Sequence, residues 1–255
     1  MFKQKKQESK PEEEQVPECP ICKSFVQQQY FLEDKGTNKK SRWFHCSCGV
    51  VFQKSKPEGK YDAAYLKKFA NNPKYSDSAR YPVKIYSPMI EELVYGRKVL
   101  VVGTPTPDQV EEFRSRGWVT YSIDKNEAIP ASSRHFVGDF ETYEFPKDLT
   151  FNLIWLYGVL ECFNDPSASL KKSFTLMPED GILFIGVSDT DFVFTRSSSA
   201  FKNWKPEYHN IMWNRRSLTS LLDKLGFQIV MAWSNHFERF AYTDDLQIIA
   251  RKKYF

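Results

Sequence analysis

The sequence predicts an α/β chain: a doubly wound, largely parallel sheet closed by an antiparallel C-terminal hairpin, preceded by a small cysteine-bearing module. Three observations predict it. From Lys98 onward, continuous apolar runs alternate with helical periods, as parallel strands joined by crossover helices do. The last two apolar runs, FQIVMAW and LQIIARK, are separated by a stretch with no helical spacing, which fits a hairpin at one edge. Four of the five cysteines, Cys19, Cys22, Cys46 and Cys48, fall in the first fifth of the 255 residues.

The elements follow in order. Residues 1–16 are polar and low in complexity, with four Lys and four Glu, and are expected to be disordered. Residues 17–54 form the module, read as two short hairpin-like pieces that each carry a cysteine pair, joined by the turn-rich LEDKGTNKK. Residues 55–97 are a connecting helical region. In it YDAAYLKKF is expected as a short helix, followed by a stretch bearing Pro and Tyr. Residues 98–255 are the main domain. KVLVVG is apolar throughout, as a strand buried on both faces should be. DQVEEFRSRG reads as a helix with Asp108 as N-cap, Glu111 completing a capping box and Gly117 as the stop. VTYSID, RHFVGD and FNLIWLY are the second, third and fourth strands. PSASLKKSFTLM has apolar residues at 170, 174 and 177, a helical spacing, and GILFIGVS is the fifth strand. RRSLTSLLDKLG places Leu218, Leu221, Leu222 and Leu225 on one helical face and ends at Gly226.

Composition narrows the class. Hydrophobic residues make up 41% of the chain, enough for a sizeable core, yet no run of about 18 apolar residues marks a transmembrane helix. The opening MFKQKKQESKPEEEQ lacks the apolar stretch of a signal peptide, so a cytoplasmic protein is expected. In that setting clustered cysteines point to metal before disulfides. The net charge of +4 sits on residues 17–60, which hold eight basic and four acidic residues. This module is therefore a candidate surface for an anionic partner. For nucleic acid, Tyr30, Phe31, Trp43 and Phe44 are candidate stacking residues, with the module's own small core as the alternative role.

The cysteine spacing is Cys-x2-Cys, twenty-three residues, then Cys-x-Cys. Thiolates on tight turns converge on a tetrahedral ion, and zinc favours such closed sulfur sites. Cys19, Cys22, Cys46 and Cys48 are the expected ligands, and Gly49 suits the second turn. His45 is an alternative ligand, but its adjacency to Cys46 turns it away. Four protein ligands leave no open position, so the expected zinc is structural.

In a doubly wound sheet, ligands bind beyond the carboxyl ends of the strands. Gly103 ends the first strand of the main domain, and the loop TPTP leads into the helix. Asp124 ends the second strand, where a carboxylate accepts hydrogen bonds from both ribose hydroxyls of an adenosine. That pattern suits a nicotinamide cofactor as well as S-adenosylmethionine. Asp139, after the third strand, is placed to take an adenine amino group.

Further motifs carry a resemblance. FNLIWLYGVLECFNDPSASLKKSFTLMPEDGILFIGV, HNIMWNRRSLTSLLDKLGFQIV and the N-terminal CPIC, CSCGVVF and YDAAYLKKF resemble, in order and spacing, the class I S-adenosylmethionine-dependent methyltransferases. The branch they look closest to is bacterial, with a Cys-rich N-terminal ribbon. The resemblance implies a Rossmann-like methyltransferase sheet behind a zinc ribbon. It implies methyl transfer to a small-molecule, sugar or glycan acceptor. The expected cofactor contacts are Gly103, Thr104, Asp124, Asp139, Phe140 and Leu156, and the candidate bases are His209, Tyr157 and Glu161. Where the family has an acidic residue, glycines, an Asp and a His, this chain has Val101, Pro105 and Pro107, Asn152 and Cys162. Proline removes an N–H donor from the loop. These departures motivate the alternative reading, a protein that keeps the fold, has lost the chemistry and binds a protein or nucleic-acid partner.

Overall fold

The computed structural model describes residues 16–33, 40–54, 73–103, 106–125, 132–191, 207–234 and 245–253. The helix expected at YDAAYLKKF and all but the last residue of the N-terminal tail lie outside them. The main sheet contains seven strands. In chain order these are β4 (Lys98–Val102), β5 (Val119–Asp124), β6 (His135–Val137), β7 (Leu153–Tyr157), β8 (Ile182–Ser188), β10 (Phe227–Ser234) and β11 (Asp245–Lys252). Their spatial order is β10-β11-β8-β7-β4-β5-β6. β4 to β8 are parallel, and β11 enters antiparallel between β8 and β10. The continuous apolar runs LVV, LIWL and ILFI explain why β4, β7 and β8 lie at the centre, where both faces are covered.

One face of the sheet carries Val99, Val101, Leu153, Trp155, Phe184 and Ile249. It is covered by α1 (Pro73–Glu91) and α2 (Asp108–Ser115). The other face carries Leu100, Val102, Ile154, Leu156, Leu183, Ile185 and Ile248. It is covered by α3 (Pro166–Thr175), by α4 (Arg215–Lys224) and by the cysteine module. Leu218, Leu221 and Leu222 are buried and Leu225 partly so, the face the spacing predicts.

The helix α1 lies within the connecting region and runs through Pro82 and Pro88, residues that ordinarily interrupt a helix. Val83, Tyr86 and Ile90 bury one stripe against the sheet, and that burial outweighs the missing bonds. Pro88 cannot donate to the Lys84 carbonyl, which instead accepts from Arg116 Nη2 at 3.4 Å. In α2, Pro107 rather than Asp108 occupies the cap position, and no side chain caps the helix. Asp108 is the first helical residue, and its carboxylate serves tertiary partners. It accepts from Ser76, from Thr106 at 2.7 Å and from Arg80 at 3.2 Å. Glu111 also turns to Arg80, at 2.7 Å, instead of closing a capping box.

The module is one antiparallel sheet, not two separate pieces. β1 (Val26–Glu33), β2 (Lys40–Cys46) and β3 (Val51–Gln53) form a meander. A fourth strand, β9 (Ile211–Met212), is contributed from beyond β8 and pairs with β3. Asn210 reinforces the joint. Its carbonyl accepts from Gln53 N–H at 3.0 Å, and its own N–H donates to the Glu161 carbonyl at 2.7 Å. Its side-chain amide donates to the carbonyls of Cys162 and Phe163. Among the described residues, no helix is long and apolar enough to cross a membrane.

Asn214 closes this region. It caps α4 in a reciprocal box with Ser217, both bonds at 2.9–3.1 Å, and donates to Asp191 at 2.9 Å. Replacing Asn214 by Ala is expected to lower stability by about 1 kcal/mol or more, since a lost N-cap costs roughly that alone. A urea midpoint equal to that of the unmodified chain would contradict this role.

Candidate functional site

The carboxyl ends of the parallel strands bring several expected residues together. Gly103 follows β4 with φ +69, and its N–H donates to the Ile123 carbonyl at 2.9 Å. That bond sets the loop after β4 against the end of β5, where Asp124 stands. Gly103 is required for space as well as conformation: a Cβ there would lie 2.6 Å from Val159 Cγ2. Thr104 and Pro105 lie outside the described residues. Leu156, one residue before the end of β7, is wholly buried.

The third strand supplies the other wall. The Gly138 N–H donates to the Asp124 carbonyl at 2.8 Å, so Asp139 follows directly on the Asp124 strand end. Asp139 Oδ1 accepts from the Glu141 N–H at 2.9 Å, and Oδ2 pairs with Lys125 Nζ at 2.9 Å. Its carboxylate thus has a fixed orientation. Phe140 is buried beneath this turn and stacks on Phe163, with centroids 5.8 Å apart and planes 18° apart.

The candidate bases are differently placed. Tyr157 ends β7, and its hydroxyl donates to Asp245 Oδ2 at 2.8 Å. Burial, reinforced by the Asp245 charge, raises the phenol well above its ordinary value, so it stays a proton donor. Glu161 is buried in the Leu160–Cys162 turn, and its Oε1 accepts from the Ser188 N–H at 2.9 Å. That carboxylate therefore ties the turn after β7 to the end of β8. His209 is also buried, and its carbonyl accepts from the Gln53 side chain. It belongs to the joint between the module and the turn.

The departures from the family pattern separate by location. Val101 is packed within the α1-covered core. Asn152 lies at the amino edge of the sheet, where its Oδ1 accepts from the Lys98 N–H at 3.2 Å, away from the ligand edge. Pro107 takes the α2 cap position. Several residues at the carboxyl edge carried no motif in sequence. Asp189 accepts from Ser234 Oγ at 2.6 Å, and Asp245 and Gln247 lie on β11. An acidic residue opening a strand is the one signal that marks Asp245.

The four module cysteines also converge, with all sulfurs within 4.8 Å of one another. Cys19 and Cys48 are 3.8 Å apart, and Cys22 and Cys46 are 3.3 Å apart. The Cys48 contact lowers the Cys19 thiol, while the same contact raises Cys48. Gly49, at φ +96, makes the turn that returns its N–H to the Cys46 carbonyl at 2.9 Å. Trp43 and Phe44 are wholly buried and offer no ring to a nucleic-acid base. The side chains of Tyr30 and Phe31 lie outside the description.

Comparison with known proteins agrees with this geometry. A family model described as a methyltransferase domain matches residues 76–232, more than half of the chain. No curated protein matches the sequence. Among solved structures, the CcbJ methyltransferase from Streptomyces caelestis is similar, with TM-score 0.56 and 10% identity over 77% of this chain and 99% of that one. The Burkholderia thailandensis 1,6-didemethyltoxoflavin-N1-methyltransferase, with bound 1,6-didemethyltoxoflavin and S-adenosylhomocysteine, has TM-score 0.55 and 13% identity over 83% and 99%. The magnesium protoporphyrin IX methyltransferase (ChlM) from Synechocystis PCC 6803, with bound S-adenosylhomocysteine, has TM-score 0.51 and 13% identity over 71% and 88%. At such identities the likeness is one of fold. The family match rests on the sequence itself, and the chain belongs to the methyltransferase-domain family, within the class I S-adenosylmethionine-dependent methyltransferases.

Proposed function

We propose that this chain transfers a methyl group from S-adenosylmethionine to a small-molecule, sugar or glycan acceptor. The observation that carries the reading is the Gly103–Asp124 arrangement. A left-handed glycine, held by its N–H to the residue before a strand-ending carboxylate, gives the close backbone approach and the ribose acceptor that an adenosine needs. A Cβ at Gly103 would meet Val159 Cγ2 at 2.6 Å, so a side chain there would displace the turn after β7 that packs against this loop.

In this reading the Gly103 backbone and Leu156 line the methionine end. Asp124 holds the ribose hydroxyls. Asp139, oriented by Lys125 and its own turn, takes the adenine amino group above Phe140. S-adenosylmethionine supplies an electrophilic methyl carbon on a sulfonium, which the acceptor's lone pair attacks as the thioether leaves. The protein's share is alignment and exclusion of water. Tyr157, kept protonated by burial and by Asp245, donates its one proton to that carboxylate, so towards the acceptor its oxygen can only receive a hydrogen bond and does not act as the base. Glu161 and His209 hold the turn beneath the acceptor side.

Cys19, Cys22, Cys46 and Cys48 are proposed to hold a structural zinc. The donor set supports this, since four sulfurs within 4.8 Å of one another match the closed tetrahedral sites that zinc favours. Metal analysis of the purified chain is expected to give about one zinc per chain, as a four-thiolate site implies. A folded, metal-free protein would overturn the assignment.

Calorimetric titration tests the activity reading. Micromolar binding of S-adenosylhomocysteine is the expected order of magnitude for a working cofactor site. Asp124→Ala is expected to abolish that binding while the circular dichroism spectrum stays unchanged. Absence of heat at millimolar concentration would favour the scaffold alternative, and unchanged affinity in the variant would show that Asp124 is not the ribose ligand.

A further inference from the structure

A row of residues across the carboxyl side of the sheet carries the inference. Strand register places Tyr157, Gly186, Gln247 and Trp233 side by side on β7, β8, β11 and β10. The neighbouring row, two residues further into the strands, contains Trp155, Phe184 and Ile249, all in the core beneath α1. Side chains alternate with period two, so the Gln247 row faces the same layer.

Gly186 contributes no side chain, and the Tyr157 ring leans into its place. A Cβ at Gly186 would lie 2.3 Å from Tyr157 Cδ2. The lean carries the phenol to Asp245 Oδ2. On the far side of Gln247 stands Trp233, whose ring centroid is 5.7 Å from that of Tyr86 on α1. Gln247 therefore sits between two aromatic walls.

Its polar atoms are unmet. Gln247 is 0% exposed, and among the described residues neither its amide oxygen nor its amide nitrogen has a hydrogen-bond partner. Ser87 Oγ, on the α1 stripe that covers this layer, is also buried without a partner. An unmet buried polar group costs about 1–3 kcal/mol, and native proteins keep few of them. Met or Leu at this position would fill the same volume without that cost. The position also lies at the sheet edge where doubly wound folds take their ligands, two residues in from Asp245. Tyr157 and Trp233, which flank it, are only half-buried, so an occupant would have to enter by parting these two rings.

We propose that Gln247, flanked by Tyr157 and Trp233, forms the recognition wall of the acceptor subsite, and that the acceptor presents to it a neutral, planar edge with N–H and C=O side by side, as an amide or lactam does. The inference rests on the methyl-transfer reading above. A glutamine amide offers one acceptor and one donor in a plane, and such an edge satisfies both at once. A carboxylate would leave the Gln247 oxygen unmet and set like charge near Asp245. An ammonium would leave its N–H donors unmet.

The test uses the full chain loaded with S-adenosylhomocysteine, with 2-pyridone as probe and anisole as the matched ring without an amide edge. Saturation-transfer NMR is expected to detect 2-pyridone and not anisole. In Gln247→Met the dissociation constant for 2-pyridone should rise about tenfold or more, the loss of one to two hydrogen bonds. The melting temperature should stay level or rise, because an unmet polar group is removed. Equal 2-pyridone binding in both proteins, or none to the unmodified chain, overturns the proposal. A Gln247→Met chain that melts several degrees lower also overturns it, since the amide would then have a structural partner such as a buried water. S-adenosylhomocysteine titrated alone keeps the two readings apart. If it binds and 2-pyridone does not, only this inference fails. If it does not bind the unmodified chain, the methyl-transfer reading fails first.

Discussion

The short antiparallel pairing of Val51 and Phe52 with Met212 and Ile211 is the joint on which much of the architecture hangs. It is only two residues long on the β9 side, too short to be stable by itself. It holds because each flank is tied elsewhere. Asn210 reaches the carbonyls of Glu161, Cys162 and Phe163, and Trp213 bridges to Asp189 at the end of β8. Asn214 then starts α4. One five-residue segment thus fastens the cysteine module, the turn after β7, the end of β8 and a covering helix. The module and the far face of the main sheet share one hydrophobic cluster, from Phe44 and Phe52 to Leu156 and Leu222.

That sharing gives the module a second role. The cysteine turns fix β2 and β3, β3 fixes β9, and β9 fixes the turn that carries Glu161. A surface module would leave the ligand edge indifferent to its state. Here the order of the sulfur cluster bears on the floor of the candidate acceptor side. After β4, the left-handed backbone of Gly103 leaves room for Val159, and Pro107 is confined to the start of α2.

The sequence made the centre of the fold legible because periodicity reports burial. LVV, LIWL and ILFI are apolar on both faces, and Leu218, Leu221 and Leu222 follow a helical stripe. Gly117 and Gly226 ended their helices as expected. What escaped was decided by tertiary partners. The prolines in α1 mask a helix that packing maintains. Asp108 has the chemistry of a cap, but Ser76, Thr106 and Arg80 claim its carboxylate. β9 is too short to show any period. At the candidate site, the positions of Gly103, Asp124 and Asp139 at or just after the ends of their strands were legible. Gln247 was not, since a glutamine near the start of a strand is what a strand end meeting solvent would also show.

The register of β3 with β9 joins residues roughly 160 positions apart along the chain. Loop closure over such a span is entropically costly, so this contact forms late, after the local strands and helices have made their own. Until residue 212 has been synthesised, β3 presents an open edge of unpaired backbone N–H and C=O groups. A nascent or truncated chain would expose that edge for pairing with another copy. The stretch around Asn210 therefore closes the N-terminal sheet only once this later segment is in place.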